Sequence, residues 1–277
     1  MKIQILGTAA YERVPALFCE CATCRYARAH RGRNIRTQAQ TLINEDLLVD
    51  FGQDNYLHFI QQNVDFLKVR YLLTTHAHAD HFISEELKMT EGCNGINQIS
   101  WNVYGGGDCH KKFLEAGALE KVTFHEVKAF ETFPVGPYTV TALPARHGTA
   151  DPFVYIISDG KKTIFYDNDS GLSLDETYQY LEREKVYFDA VIADCTMGSN
   201  HKEKYRNHRS FIDNKNHRER LMRAGNVDEN TKYIITHFSH NGLKDEMGNA
   251  LSHEDVCRLA DSMGMLCAYD GITLELE

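Results

Sequence analysis

Three histidines and one aspartate crowd into six residues of the segment Thr75-His76-Ala77-His78-Ala79-Asp80-His81. The segment follows Tyr71–Leu73, an apolar run that reads as a buried strand. Side chains alternate along an extended chain, so His76 and His78 can leave the strand end on one side and grip one cation. Asp80 and His81 fall on the following turn, where they can face a second cation nearby. The small spacers Ala77 and Ala79 leave room for metals and substrate. A histidine-rich loop without metal is disfavoured, because so many polar rings at a strand end are costly to pack without a partner.

A second cluster is Cys19, Cys21 and Cys24, in Phe18-Cys19-Glu20-Cys21-Ala22-Thr23-Cys24. Three thiolates this close repel one another unless a cation neutralises them or they stay protonated. A structural zinc takes four ligands, mostly Cys and His, so a fourth would come from elsewhere in the chain. The bland alternative is three unligated thiols in a reducing compartment. Cys93, Cys109, Cys195, Cys257 and Cys267 are scattered and read as ordinary small buried residues.

The elements that would position these groups alternate between strand and helix patterns. Strands are expected at Lys2–Thr8, Gln40–Asn44, Leu47–Phe51, Val69–Thr75, Ile99–Tyr104, Lys121–Val127 and Tyr138–Leu143. Phe153–Ser158 and Thr163–Tyr166 flank Asp159-Gly160, a hairpin turn. Asp189–Ala193, Lys232–Thr236, Met265–Tyr269 and Ile272–Leu276 complete the set, the last two flanking Asp270-Gly271. Helices are expected at Asn55–Gln62, Ser84–Met89, Cys109–Ala116, Asp175–Lys185, Asp213–Arg223 and His253–Met263. Ser252 with Asp255 resembles a capping box before the last. Interspersed helices with several hairpins and no strict βαβ period suggest two packed sheets covered by helices. With no repeat, low-complexity tract or Pro/Gly/Ser-rich linker, residues 1–277 read as one domain.

The histidine segment is the H-x-H-x-D-H motif of the metallo-β-lactamase superfamily, which the chain resembles. The resemblance implies an α/β fold, an αββα sandwich of two mixed β-sheets flanked by helices, with two divalent metals at one edge between the sheets. It also implies a third histidine, a bridging aspartate and a final histidine. His147 in Ala145-Arg146-His147-Gly148, Asp169 in Asn168-Asp169-Ser170-Gly171 and His237 after Tyr233-Ile234-Ile235-Thr236 fit in that order. Asp167 competes with Asp169. The Asn-Asp-Ser-Gly context resembles the family's bridging loop and favours Asp169, leaving Asp167 as a supporting carboxylate. His237 is followed three residues later by His240, the natural fourth ligand for the cysteines.

The cysteine cluster together with His-x-x-His resembles the PhnP-like branch of the superfamily. Its details run through Cys19/Cys21/Cys24, the histidine motif, Asp194-Cys195, Asn207-His208 and His237 to His240. That branch implies phosphodiesterases on cyclic ribose phosphates, with a structural zinc on the cysteines. His208, in Tyr205-Arg206-Asn207-His208-Arg209, resembles the branch's histidine near substrate, as general acid or phosphate binder. A surface histidine in a polar loop is the competing reading. The catalytic set expected is thus Asp80, Asp169 and His208. Arg25, Arg28, Arg31, Arg33 and Arg36 form a basic run, read as a solvated helix face and loop. Tyr166 and Phe153 are expected in the core.

Lys+Arg number 30 against Asp+Glu 39, a formal charge of −9. An acidic chain is a poor general binder of nucleic acid or anionic membranes, because counterion release needs a basic face. Nor does any apolar run approach the roughly 20 residues that span a bilayer. The N-terminus Met-Lys-Ile-Gln-Ile-Leu-Gly does not resemble a signal peptide, so a soluble cytoplasmic protein is expected. The expected partner is a small phosphorylated substrate; a homodimer is left open. Zn, Mn or Fe all suit the mixed His/Asp ligands, with zinc on the thiolates. Two other functions compete: an ester, thioester or lactone hydrolase on the same metals, and a non-enzymatic carrier of the PqqB kind. A tRNA nuclease is disfavoured, as no basic Gly/Pro-rich arm is present, and so is lactamase activity, without a secretion signal.

Overall fold

The computed structural model describes residues 1–91, 99–200 and 207–277. Cys93, Tyr205, Arg206 and most of the stretch between Cys195 and Asn207 therefore lie outside the described residues. Fourteen strands among the described residues form two seven-stranded sheets. The first sheet contains β1 (Lys2–Gly7), β2 (Gln40–Ile43), β3 (Leu47–Val49), β4 (Tyr71–Leu73), β5 (Trp101–Gly105), β6 (Val122–Glu126) and β14 (Ile272–Glu275). Its order is β14-β1-β2-β3-β4-β5-β6. The second contains β7 (Thr132–Val135), β8 (Tyr138–Pro144), β9 (Phe153–Ser158), β10 (Thr163–Asp167), β11 (Ala190–Asp194), β12 (Lys232–Thr236) and β13 (Leu266–Cys267), in reverse order β13 to β7. In each sheet the strands from β3 to β6 and from β10 to β13 run parallel, and the rest antiparallel.

Among the described residues, six α-helices cover the outer faces: α1 (Ala22–His30), α2 (Asn55–Gln62), α3 (Gly107–Glu115), α4 (Asp175–Glu184), α5 (Phe211–Ala224) and α6 (His253–Asp261). Strands covered on both sides read as continuous apolar runs, and their side chains divide between two cores. In β11, Ala190 and Ile192 face the layer between the sheets, whereas Val191 and Ala193 pack under α4, α5 and α6. A third core, with Leu72, Val103 and Phe113, lies under α2 and α3. Tyr166 and Phe153 belong to the inter-sheet layer, as expected. Among the described residues no helix is long and apolar enough to cross a membrane.

Four sequence expectations change. Met265–Tyr269 and Ile272–Leu276, which flank Asp270-Gly271, are shorter than expected and lie in different sheets; β13 closes the second sheet and β14 the first, so that turn carries the chain across the sandwich. The cysteine segment leads into α1, which the hydrophobic pattern did not signal because only Thr23, Cys24 and Ala27 are buried. Arg36, read with the solvated basic run, is 2% exposed, while Arg25, Arg28, Arg31 and Arg33 are exposed. Helix α5 starts two residues earlier than expected, because Ser210 and Asp213 form a capping box like that of Ser252 and Asp255.

Candidate metal centre

The histidine loop leaves β4, as its apolar strand predicts, and its rings are aimed by partners on their far nitrogens. Thr75 Oγ1 lies 3.0 Å from His76 Nδ1. Asp50 Oδ2 lies 2.8 Å from His81 Nδ1. Thr196 Oγ1 sits 2.7 Å from His237 Nδ1, with Asp194 Oδ2 at 3.4 Å. A hydrogen bond on one imidazole nitrogen fixes the tautomer and turns the other nitrogen to the site. Asp50 in turn accepts from Thr75 N and Thr75 Oγ1, each at 2.8 Å.

The freed nitrogens converge in two groups. His76 Nε2 lies 2.9 Å from His78 Nδ1, and His147 Nε2 lies 3.0 Å from the same atom. His81 Nε2 lies 3.2 Å from His237 Nε2 and 3.2 Å from Asp80 Oδ2. Asp169 joins the groups: its Oδ2 is 3.3 Å from His76 Nε2, 3.0 Å from His81 Nε2 and 3.7 Å from His237 Nε2. The donor atoms of His76, His78, His147 and Asp169 lie within 4.8 Å of one another, as do those of Asp80, His81, Asp169 and His237. Asp167 points elsewhere, at 2.5 Å from Arg209 Nη1 and 3.1 Å from His217 Nε2.

This packing fits a pair of cations. Ring nitrogens set against ring nitrogens at hydrogen-bond distance cannot all be satisfied by one another, since a neutral ring brings one donor and one acceptor. Asp169 Oδ1, fully buried, makes no well-aligned hydrogen bond, with His208 Nδ1 at 3.1 Å and His147 Nδ1 at 3.4 Å. A shared cation would satisfy both features, and the His/carboxylate donors suit Zn, Mn or Fe. Backbone strain collects at the same place: Asp50, Asp169 and His237 have φ of +66°, +49° and +61°. Gly52 lets its neighbour strand end pass close by, since a Cβ there would meet Asp80 O at 2.1 Å.

Charge is distributed unevenly over the cluster. Burial acts first on every group. It pushes His76 well below the usual imidazole range, with His81 adding to the effect. It lowers His147 as well. In His81 burial is outweighed by Asp80 and Asp50, which hold it well above that range. In Asp169 it is outweighed by His237, His208 and His81, and the carboxyl is held well below its usual range.

His208 stands at the edge of the cluster. Its Nδ1 lies 3.1 Å from Asp169 Oδ1 and 3.2 Å from Asp194 Oδ2. Burial opposes its charge, but Asp194 and Asp169 outweigh it and raise His208 to about 11. Asp169, Asp194, His208 and His237 could also be counted as a ligand group. Against that, Asp194 already accepts from Thr196 N, Thr196 Oγ1 and Arg209 N at 3.1, 2.6 and 2.7 Å, which marks it as a carboxylate that positions its neighbours. Two cavities open here. One of about 330 Å³ is lined by Tyr11, Glu12, His78, Asp80, His147 and His208. The other, about 660 Å³, is polar and lined by Thr196, His208, Ser239, Asn241, Lys244 and Asp245.

The cysteine cluster closes on the same loop. Cys19 Sγ and Cys21 Sγ lie 3.4 and 3.3 Å from His240 Nδ1, and Cys24 completes a four-donor group within 4.8 Å. Burial opposes ionisation of Cys21, but its bond to His240 and those to Cys24 and Cys19 bring it down to about 6. Cys24 is pushed up to about 12, first by burial. Four Cys/His donors with no open position suit a structural zinc. Glu12, which sequence reasoning missed, ties the two centres: it accepts from Ser239 Oγ at 2.5 Å and lies 3.6 Å from His240 Nε2.

Residues 46–238 match the model of the beta-lactamase superfamily domain. The chain belongs to that superfamily. A sequence comparison with curated proteins finds no match. Among solved structures, this beta-lactamase superfamily chain is similar to a diphosphatase from the PhnP family, at 19% identity and TM-score 0.75, covering 100% of this chain and 98% of the other. It is similar to Zn(2+)-bound PqqB from Methylobacterium extorquens, at 18% identity and TM-score 0.68, covering 100% of both. It is also similar to the short form of human tRNase Z, at 14% identity and TM-score 0.65, covering 100% of both. At these identities the likeness is one of fold, the two-sheet sandwich foreseen from the histidine motif.

Proposed function

We propose that the chain is a metal-dependent hydrolase of a small phosphodiester carried on a sugar or nucleotide, cyclic phosphates included. The observation that carries this reading is His208, whose Nδ1 lies 3.1 Å from Asp169 Oδ1 and 3.2 Å from Asp194 Oδ2 where both cavities meet the histidine cluster. His76, His78 and His147 would hold one divalent ion, Asp80, His81 and His237 a second, and Asp169 would bridge them. Two such ions supply a lowered water pKa and charge neutralisation at the phosphoryl oxygens. His208 binds a phosphoryl oxygen or gives its proton to the departing alkoxide. Asp194 keeps that ring charged and, through Thr196, keeps His237 in its tautomer. The polar cavity beyond Thr196, with Asn241 and Lys244, takes the leaving sugar.

The PhnP-family fold neighbour is described as a diphosphatase, which supports phosphate chemistry on this scaffold. A net charge of −9 speaks for a small substrate rather than a nucleic acid. Residues 1–277 act in this reading as one catalytic unit, with a structural zinc on Cys19, Cys21, Cys24 and His240. The test is the metal-loaded protein against bis(p-nitrophenyl) phosphate, cyclic ribose phosphates, a thioester and a lactone. Phosphodiester turnover well above the other two is expected. Ready cleavage of thioester or lactone with none of phosphodiester would overturn the proposal.

A further inference from the structure

Between α6 and β13 lies a buried charge whose direct partners include no carboxylate. Arg36 donates to Thr8 Oγ1 and Ala268 O, both at 2.8 Å. Its Nη2 lies 3.1 Å from His253 Nδ1 and 3.7 Å from Cys267 Sγ. The guanidinium rests 4.4 Å from the Phe238 ring centroid. A buried charge is costly unless an opposite charge accompanies it. Asp270, which accepts from Thr8 Oγ1 at 2.6 Å, answers it through that hydroxyl; burial pushes its carboxyl up, while Thr37, Thr8 and Arg36 pull it down. Sulfur is the other group in reach of the guanidinium. Cys257 Sγ lies 3.3 Å from His253 Nε2, Cys267 Sγ lies 4.0 Å from His253 Nδ1, and one donor atom from each of the three residues falls within 4.8 Å of the others.

We propose that Cys257 and Cys267 are a peroxide-sensitive thiol pair, activated by Arg36, and that oxidation closes a reversible disulfide between α6 and β13. A neighbouring cation favours the thiolate, which is the nucleophile. Cys257 is the attacking group. It is only partly buried, and its hydrogen bond with Cys267, against the pull of burial and helped by Arg36, brings it down to about 7. Cys267 is pushed well above its usual range by the same hydrogen bond and by burial, so it keeps the proton. The Cys257 thiolate attacks one oxygen of hydrogen peroxide. An S–O bond forms, the O–O bond breaks, and hydroxide leaves as water after protonation. Cys267 sulfur then attacks the sulfenic sulfur. The S–S bond forms, the S–O bond breaks, the Cys267 proton goes with the oxygen, and a second water departs. Two thiols are oxidised and one peroxide is reduced to two waters.

The same three side chains could be counted as a metal group, but a guanidinium within 4 Å of two of them repels a cation. The link would lie next to the strand that carries the metal centre. Cys267 is in register with Ile235, two residues before His237.

Trypsin separates the two thiols, placing Cys257 in residues 245–258 and Cys267 in residues 259–277. The reduced protein is treated with hydrogen peroxide, alkylated, digested without reductant and analysed by mass spectrometry. The expected product is peptide 245–258 joined to 259–277, about 2 Da lighter than their sum and separated again by dithiothreitol. Cys257→Ser should abolish it. At pH 7 Arg36→Met should slow its formation about fivefold, the effect on thiolate content of raising a pKa near 7 by about one unit, and Arg36→Lys should restore most of the rate. The wild-type digest decides alone, whether or not Arg36→Met folds. Unlinked, alkylated peptides after peroxide, or bound zinc shielding both thiols from alkylation, would overturn the proposal.

Discussion

Asp50 lies outside the histidine motif, yet it sets the ring that should hold the second cation. It is fully buried and accepts from Thr75 N, Thr75 Oγ1 and His81 Nδ1, each at 2.8 Å. Asp50→Ala would orphan these donors. In the metal-free protein His76 can change tautomer and accept the Thr75 hydroxyl on Nδ1 at 3.0 Å, so two buried donors, Thr75 N and His81 Nδ1, lose their partner. At about 1–3 kcal/mol each, the metal-free protein should lose about 2–6 kcal/mol. Asp50→Asn is more selective. It keeps an acceptor for Thr75 N but offers His81 Nδ1 a donor or an uncharged oxygen, which weakens the hold on the tautomer with Nε2 free. Loss of such a partner typically lowers metal affinity about 10- to 100-fold. Urea unfolding of the metal-free variants and chelator-competition titration of the second ion read the two effects. The cysteine cluster should keep its affinity throughout. Wild-type unfolding of Asp50→Ala together with wild-type affinity in Asp50→Asn would refute the reasoning.

The other predictions concern proton donation, the zinc site and acid stability. His208→Ala should slow substrates with an alkoxide leaving group by about 10²–10⁴ and nitrophenyl esters far less, because nitrophenolate departs without a proton; equal loss on both would leave His208 a binding role only. Cys21→Ser should lower zinc content by about one per chain and lower the melting temperature while the histidine cluster stays loaded, and an unchanged metal content would show the cysteines to be free thiols. His58, buried between Thr37 and Gln40, is lowered to about 4 by burial, with Arg13 adding and Asp54 opposing. Its folded value lies below its unfolded one of 6.5, so the neutral ring contributes stability above that pH, lost as pH falls from about 6.5 to about 4. The whole window is worth about 3 kcal/mol. His58→Gln should therefore show a flatter loss of stability on acidification than the wild type in chemical denaturation, and parallel curves would contradict it.

The parts of the site visible in sequence are those that one short segment carries. His76, His78, Asp80 and His81 share a strand end and its turn, so their types and spacing suffice. Asp50 and Thr196 act through contacts 31 and 41 residues away in sequence, and nothing local marks them, while Asp194 was visible only through the PhnP-like pattern. Glu12 is further removed, 227 residues from Ser239. The choice between Asp167 and Asp169 turns on a single residue of loop conformation, and the strained φ of Asp169 is what swings it toward the histidines. The strand β7 escaped the pattern because Thr132–Val135 is a short edge strand containing Pro134, a residue that ordinarily argues against a strand. Arg36 was misread because a basic run gives no hint that its last member turns inward beneath Phe238.

The central claim is that Asp169 bridges two ions. The direct measurement is metal content and anomalous scattering on crystals of the wild type and of Asp169→Ala. The wild type should show two ions in the histidine cluster, on either side of Asp169 Oδ2, and one at the cysteine cluster. Asp169→Ala should lose ions from the histidine cluster together with hydrolytic activity and keep the ion at Cys19, Cys21, Cys24 and His240. A variant that keeps both cluster ions and full activity would contradict the account.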